Sequence, residues 1–185
     1  MSAMNIPNIL SAIRIVLVPV FIVVFFSGAE NANIYAAGVF VLASSTDALD
    51  GYIARRFGMI TKLGRVLDPF ADKLMTASVL GCIAVKGIVS VWIVAVFMAK
   101  EIVMGLGALL MYRKVDDVIP SSLLGKASTV LFFLVCLILM VFPQIPVKAA
   151  GIMASSALCL TLVSLAVYAY RFFCLISKNG KKEIK

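Results

Sequence analysis

Long runs of apolar residues, separated by short polar segments, follow one another along this chain of 185 residues. Six such runs can be drawn, at residues 6–26, 33–57, 64–85, 89–112, 122–142 and 147–176. A helix needs about 20 apolar residues to cross a bilayer, and each run is close to that length or longer. The runs are continuous rather than alternating, which favours helices over a transmembrane barrel. We therefore predict an all-α integral membrane protein, a single domain over residues 1–185 with six transmembrane helices.

The composition supports this prediction and limits the side chains that could serve in catalysis. Hydrophobic residues make up 63% of the chain and charged residues only 14%, against about 25% charged in soluble domains. The sequence has no histidine, and its four cysteines lie in apolar segments without C-x-x-C pairing. Histidine nucleophiles, histidine bases and zinc sites of the usual kinds are thereby excluded. Catalysis would have to use carboxylates, amines, hydroxyls or thiols.

The distribution of positive charge predicts the topology. Lys and Arg outnumber Asp and Glu by 17 to 9. The excess lies mostly between the second and third runs, after the fourth run and in the C-terminal tail. Basic loops stay on the cytoplasmic side, so we expect both termini and the link between the second and third runs to face the cytoplasm. The same charge suits anionic lipid headgroups, and no aromatic-interleaved basic patch favours nucleic acid.

Four aspartates interrupt the second and third runs at helical spacing. Asp47 and Asp50 lie at i and i+3, and Asp68 and Asp72 at i and i+4, so each pair occupies one helix face. The link between these runs is short, which predicts antiparallel neighbours whose acidic faces meet on the cytoplasmic side. Carboxylates crowded together repel unless a cation compensates them. Hard oxygen ligands favour Mg²⁺ or Mn²⁺, with Ca²⁺ as a further possibility, and four carboxylates predict two ions.

Small residues and an arginine accompany these acids. Gly51, Ala54 and Gly64 would let a ligand or a neighbouring backbone come close. By themselves they are better explained by plain helix–helix packing. Arg55 adds a planar guanidinium group, whose paired N–H donors suit the oxygens of a diphosphate. Together with a cation held by acids, this set predicts a site for a phosphoanhydride.

The pattern Asp47-x-x-Asp50-Gly51-x-x-Ala54-Arg55, followed after eight residues by Gly64-x-x-x-Asp68-x-x-x-Asp72, is highly specific. It resembles in full the signature of the CDP-alcohol phosphatidyltransferase family. The segment from Asn5 to Arg14 is also similar to the opening of the bacterial phosphatidylglycerophosphate synthase branch. The resemblance covers most of the chain, although the last two runs match mainly in hydrophobicity.

The resemblance implies a reaction and a role for each residue. A phosphatidyl group would pass from CDP-diacylglycerol to an alcohol, and CMP would leave. The implied metal ligands are Asp47, Asp50, Asp68 and Asp72, and Asp72 would also serve as the catalytic base. The implied CDP contacts are Gly51, Ala54, Arg55, Gly64 and Asp68. Family members also imply a homodimer in the bacterial cytoplasmic membrane.

The sequence leaves two acceptor alcohols open. Glycerol 3-phosphate is the favoured acceptor, and the candidate contacts for its phosphate are Arg14, Lys73 and Lys126. Ala108 and Ser128 stand where that branch carries basic residues, so phosphatidylglycerol, the cardiolipin synthase acceptor, stays an alternative. For Arg14, an ion pair with Glu101 or a headgroup contact is also possible. Outside this class, intramembrane acids also suit an ion-coupled transporter, but no broken helices in two related halves support one.

Overall fold

The computed structural model describes residues 6–57, 64–114 and 123–180, and most of their side chains. Those ranges contain six helices and no strand, as predicted. The helices are α1 (Ile6–Phe25), α2 (Ala32–Arg56), α3 (Gly64–Val85), α4 (Val91–Lys114), α5 (Leu123–Val141) and α6 (Val147–Gly180). Most predicted bounds hold within two residues. The exception is the end of α6, which continues four residues past the predicted end.

The chain divides into two compact units. One comprises Met1–Ile88 with Leu137–Ile145, and the other Val89–Cys136 with Pro146–Lys185. The first unit therefore holds α1, α2 and α3, and with them all four aspartates of the signature. The second holds α4, α6 and most of α5.

Three of the described helices have the length and apolarity to cross a membrane. They contain the segments Asn8–Phe25, Leu124–Val141 and Val147–Tyr170. The six-span prediction is thus confirmed in its helix count, and for three helices in their membrane character. The other three carry charges in their interiors, among them Asp50, Asp68 and Lys100. Charges inside a membrane helix face protein or a polar cavity and mark functional positions.

Helix α1 makes most of the helix–helix contacts of the first unit. It packs extensively against both α2 and α3, whereas α2 and α3 touch each other over a much smaller area. Its C-terminal half buries Val18, Phe21 and Phe25 at helical spacing. Val16 and Val23 on the other side are exposed, as expected of a surface that faces lipid. The predicted direct α2–α3 pairing is therefore a smaller contact than the packing of either helix against α1.

The end of α3 is fixed to the other two helices. Gly87 has φ +71°, and the amide N–H groups of Gly87 and Ile88 bond to the carbonyls of Ala84 and Ile83 at 2.9 and 3.1 Å. This is the Schellman arrangement, which needs a left-handed residue and so favours glycine. Just before it, Lys86 lies 3.9 Å from the ring centre of Phe25 on α1 and donates to Asn33 Oδ1 on α2 at 2.8 Å. One side chain thereby ties three helices together.

Within the second unit, α4 contacts α6, and Phe97 stacks on Phe132 of α5 with ring centres 4.0 Å apart. Lys100, 7% exposed, pairs with its neighbour Glu101. Adjacent helical residues point in different directions, but the long lysine side chain is able to bend back to the carboxylate. The charge of Lys100 is thus compensated within α4.

Buried and half-buried hydroxyl groups mostly bond within their own helices. They donate to backbone carbonyls three or four residues earlier, at 2.7–3.0 Å, in Ser44, Thr46, Thr76, Ser78, Ser128 and Thr161. A hydroxyl in an apolar surrounding is satisfied most easily in this way. Ser11 of α1 differs, because its hydroxyl donates to a side chain on another helix.

Candidate active site

The four aspartates of the signature lie on two helices of the first unit. Asp47 and Asp50 belong to the C-terminal half of α2, and Asp68 and Asp72 to the N-terminal half of α3. The carboxylates of Asp68 and Asp72 lie close enough to Asp47 to repel it, and those of Asp47 and Asp68 act on Asp50 in the same way. The fold therefore brings acids from both helices into one electrostatic cluster.

Arg14 of α1 contacts the two acids that α2 contributes to this cluster. Its Nη1 lies 2.7 Å from Asp47 Oδ1, and its Nη2 donates to Asp50 Oδ2 at 2.6 Å. Only the second contact is an aligned hydrogen bond, and neither Nη1 nor Nε has a hydrogen-bond partner among the described residues. Arg14 is 1% exposed and Asp50 2% exposed, so both charges are compensated largely by each other. The observed partners of Arg14 are thus two acids of the signature.

A second contact from α1 reaches the other acidic helix. Ser11 is fully buried, and its hydroxyl donates to Asp68 Oδ1 on α3. Asn8 lies one turn earlier on the same face and is also buried. Asn8 lies within the first turn of α1 as described. The buried face of α1 is therefore polar in its N-terminal half and apolar in its C-terminal half.

Exposure differs sharply among the acids. The side chain of Asp47 is 45% exposed and that of Asp72 43%, whereas Asp50 is almost completely covered. Lys73, itself about half-exposed, places Nζ 3.3 Å from Asp72 Oδ2. Asp47 and Asp72 thus lie at the open side of the cluster, with Asp50 and Arg14 beneath them. A substrate group arriving from solvent would meet Asp47 and Asp72 first.

The remaining predicted site residues are placed as follows. Gly51 is half-buried next to Asp50, and Gly64 is buried at the first position of α3. Ala54 and Arg55 belong to α2, but their side chains lie outside the described part of the structure. Lys126 is exposed near the start of α5 and belongs to the second unit. The structure therefore gathers the aspartates with Arg14 and Lys73, and the roles predicted for all these residues stay predictions.

The donor chemistry of the cluster fits a hard divalent cation. Arg14 and Lys73 offset two of the four negative charges, which leaves two uncompensated among the described side chains. Carboxylate oxygens are the ligands that Mg²⁺ and Mn²⁺ prefer. Within the described ranges, however, no three acidic or thiol side chains converge closely enough to hold one ion. Arg14 takes up two of the oxygens that would be needed.

Comparison with known proteins decides the family. The sequence profile of the CDP-alcohol phosphatidyltransferases matches residues 4–177. The chain belongs to the CDP-alcohol phosphatidyltransferase family. The resemblance seen in the signature is thereby confirmed, and with it the prediction of an enzyme of this class.

Several relatives carry more specific names. The chain is 40% identical over 128 residues to a "CDP-diacylglycerol--glycerol-3-phosphate 3-phosphatidyltransferase" of Rickettsia bellii, covering 69% of this chain and 70% of the relative. A Bacillus subtilis protein of the same name is 31% identical over 137 residues, covering 68% and 70%. A "Probable phosphatidylglycerophosphate synthase" of Mycobacterium tuberculosis is 35% identical over 128 residues, covering 68% and 60%.

Sequence reasoning missed Ser11 and the partners of Arg14 in this family member. It assigned the metal and CDP contacts to the hairpin of α2 and α3, and it considered Arg14 as an acceptor contact or as a partner of Glu101. The available signal was the spacing of Asn8, Ser11 and Arg14 at three-residue intervals. Three polar residues on one face of an otherwise apolar helix predict a buried polar contact, and that spacing would have identified it.

Proposed function

We propose that this chain transfers the phosphatidyl group of CDP-diacylglycerol to glycerol 3-phosphate, giving phosphatidylglycerophosphate and CMP. The observation that carries the proposal is the cluster of acids from α2 and α3 in a member of the family. The names of its relatives favour glycerol 3-phosphate over phosphatidylglycerol as acceptor. Family membership argues against the ion-coupled transporter.

The proposed site uses its charges to hold a diphosphate. Asp47, Asp50, Asp68 and Asp72 would bind two divalent cations, Mg²⁺ or Mn²⁺, which when bound supply positive charge against the diphosphate. Two uncompensated negative charges in the described cluster support this assignment. Gly51, Ala54, Arg55, Gly64 and Asp68 would contact the CDP moiety. The small residues among them would admit the nucleotide close to the helix backbone.

Asp72 is the proposed general base. It is 43% exposed, so its carboxylate is accessible to an acceptor hydroxyl, which the buried Asp50 is not. Asp72 takes the proton of that hydroxyl while the hydroxyl oxygen attacks the phosphorus of the phosphatidyl group. A new P–O bond forms to the acceptor, the P–O bond to CMP breaks, and the bonding electrons leave with the CMP phosphate. Lys73, beside Asp72, and Lys126 are candidate contacts for the acceptor's own phosphate.

The proposal places this chemistry at the cytoplasmic side of the bacterial inner membrane, with both termini on that side. The basic segments after α2 and α4 support this orientation. The diacyl chains would remain in lipid, and the polar acceptor would arrive from the cytoplasm. We further propose that the protein acts as a homodimer, as the family resemblance implies.

An acceptor screen tests the proposal. Purified protein in lipid nanodiscs is given CDP-diacylglycerol with Mg²⁺ and one of glycerol 3-phosphate, phosphatidylglycerol, inositol phosphate or serine, and the lipid product is identified by mass. We expect phosphatidylglycerophosphate and equimolar CMP with glycerol 3-phosphate alone. A matched reaction with excess EDTA should release no CMP. Product formed only from phosphatidylglycerol would overturn the acceptor, and undiminished CMP release in EDTA would overturn the metal.

A further inference from the structure

The N-terminal half of α1 presents a buried polar face directly to the acidic cluster. Asn8, Ser11 and Arg14 follow one another at three-residue intervals and are 5%, 0% and 1% exposed. A charge and a hydroxyl buried in an apolar bundle are costly unless each has a specific partner. Their presence on the most apolar side of a membrane helix therefore calls for a function in the site.

The contacts of this face are divided between the two acidic helices. Arg14 reaches Asp47 and Asp50 on α2, and Ser11 reaches Asp68 on α3. Since α2 and α3 touch each other little, α1 provides most of the connection between them. The relative placement of the acids from the two helices is set chiefly through α1.

Each contact engages a single oxygen of its carboxylate. Arg14 binds Oδ1 of Asp47 and Oδ2 of Asp50, and Ser11 binds Oδ1 of Asp68. A carboxylate has two oxygens with about four acceptor positions, so these contacts leave the second oxygen of each acid for another ligand. A hydrogen bond to one oxygen fixes the direction in which the other points. Groups that orient metal ligands in this way strengthen metal binding.

We infer that Ser11 and Arg14 are positioning residues that orient Asp47, Asp50 and Asp68 toward divalent cations. The inference rests on the proposed function, because it takes these acids as metal ligands. It gives Arg14 a different role from an acceptor contact, since its guanidinium is covered by the acids themselves. The opposite role, a built-in cation that competes with the metal, predicts an effect of opposite sign.

Two substitutions leave the net charge of the site unchanged. They therefore distinguish an effect of hydrogen-bond geometry on metal binding from an effect of charge. Ser11→Ala removes only the hydroxyl, and Arg14→Lys keeps the positive charge but loses the two-pronged fork. Ser44→Ala and Arg56→Lys are matched controls, since Ser44 bonds within its own helix and Arg56 is exposed. Mn²⁺ affinity of the purified protein without substrates is measured by electron paramagnetic resonance of the free ion.

We expect Ser11→Ala and Arg14→Lys each to weaken Mn²⁺ binding by about 10- to 100-fold, as for other groups that orient metal ligands. The controls should bind Mn²⁺ as the unaltered protein does. A merely structural role would lower the unfolding midpoint in EDTA and leave the affinity of the folded protein unchanged. If only the Ser11→Ala variant folds, its Mn²⁺ affinity distinguishes the positioning role from a structural one.

Unchanged or tighter Mn²⁺ binding in the folded Ser11→Ala and Arg14→Lys variants would overturn the inference. Tighter binding would indicate instead that the Arg14 side chain competes with the metal. An unaltered protein that binds no Mn²⁺ would overturn it too. The first result leaves the proposed reaction untouched, because the lipid product and CMP release test that reaction separately. The second would also count against the metal ligands of the proposed site, but not against the transfer itself. Conversely, a different acceptor in that screen would leave the positioning of the aspartates intact.

Discussion

Asp47 and Asp50 offer a matched pair of substitutions in which burial alone sets the expected cost. Both carboxylates lie within 2.7 Å of the same guanidinium, yet Asp47 is 45% exposed and Asp50 2%. Removing one partner of a buried ion pair costs about 3–5 kcal/mol, because the other charge is left uncompensated. Asp47 remains beside Arg14 in the Asp50→Asn variant and offsets part of this, so we expect a loss of about 2–3 kcal/mol.

The corresponding change at Asp47 should be far milder. An exposed ion pair contributes about 0–1 kcal/mol, and Arg14 keeps its aligned hydrogen bond to Asp50 in the Asp47→Asn variant. Unfolding is followed in mixed micelles containing EDTA, by labelling of the buried thiols of Cys82 and Cys136. EDTA removes bound cations from the comparison, so that only the protein's own contacts are measured.

Both variants should nevertheless lose CMP release, since each removes a proposed metal ligand. Stability and activity are therefore expected to separate: both variants inactive, but only Asp50→Asn markedly destabilised. Equal losses of unfolding free energy in the two variants would refute the reasoning, because burial would then not govern the strength of these pairs. A destabilised Asp47→Asn with a stable Asp50→Asn would contradict the placement of the two acids.

Three further predictions concern single side chains. Asp72→Asn should abolish turnover and leave CDP-diacylglycerol binding within a few-fold, as checked by CMP release and equilibrium binding; retained turnover would exclude Asp72 as the base. Lys86→Gln should lower the unfolding free energy by about 1–2 kcal/mol through loss of its contact with Phe25 and a weaker bond to Asn33; micelle unfolding would show it, with activity unchanged. Lys126→Gln should raise KM for glycerol 3-phosphate about tenfold with little change in kcat, and an unchanged KM would remove it from the acceptor site.

Much of the architecture was predictable because the bilayer restricts the choices. Backbone groups in lipid must bond within a helix, so continuous apolar runs gave six helices, most with bounds within two residues. The signature likewise identified the family, since fixed spacings on α2 and α3 place particular residues on one face. What spacing within a helix does not reveal is which third helix lies against that face.

Only the tertiary structure decided how the acidic face is completed. From the sequence, Asp47, Asp50, Asp68 and Asp72 were expected to face one another directly across a hairpin. In the fold, α1 lies against both helices, and Arg14 and Ser11 contact three of these acids. The physical reason is that burial is a property of the packed bundle. A charge within an apolar run must find a partner, but the partner lies 33 and 36 residues away along the chain for Arg14, and only the packing of helices brings them together.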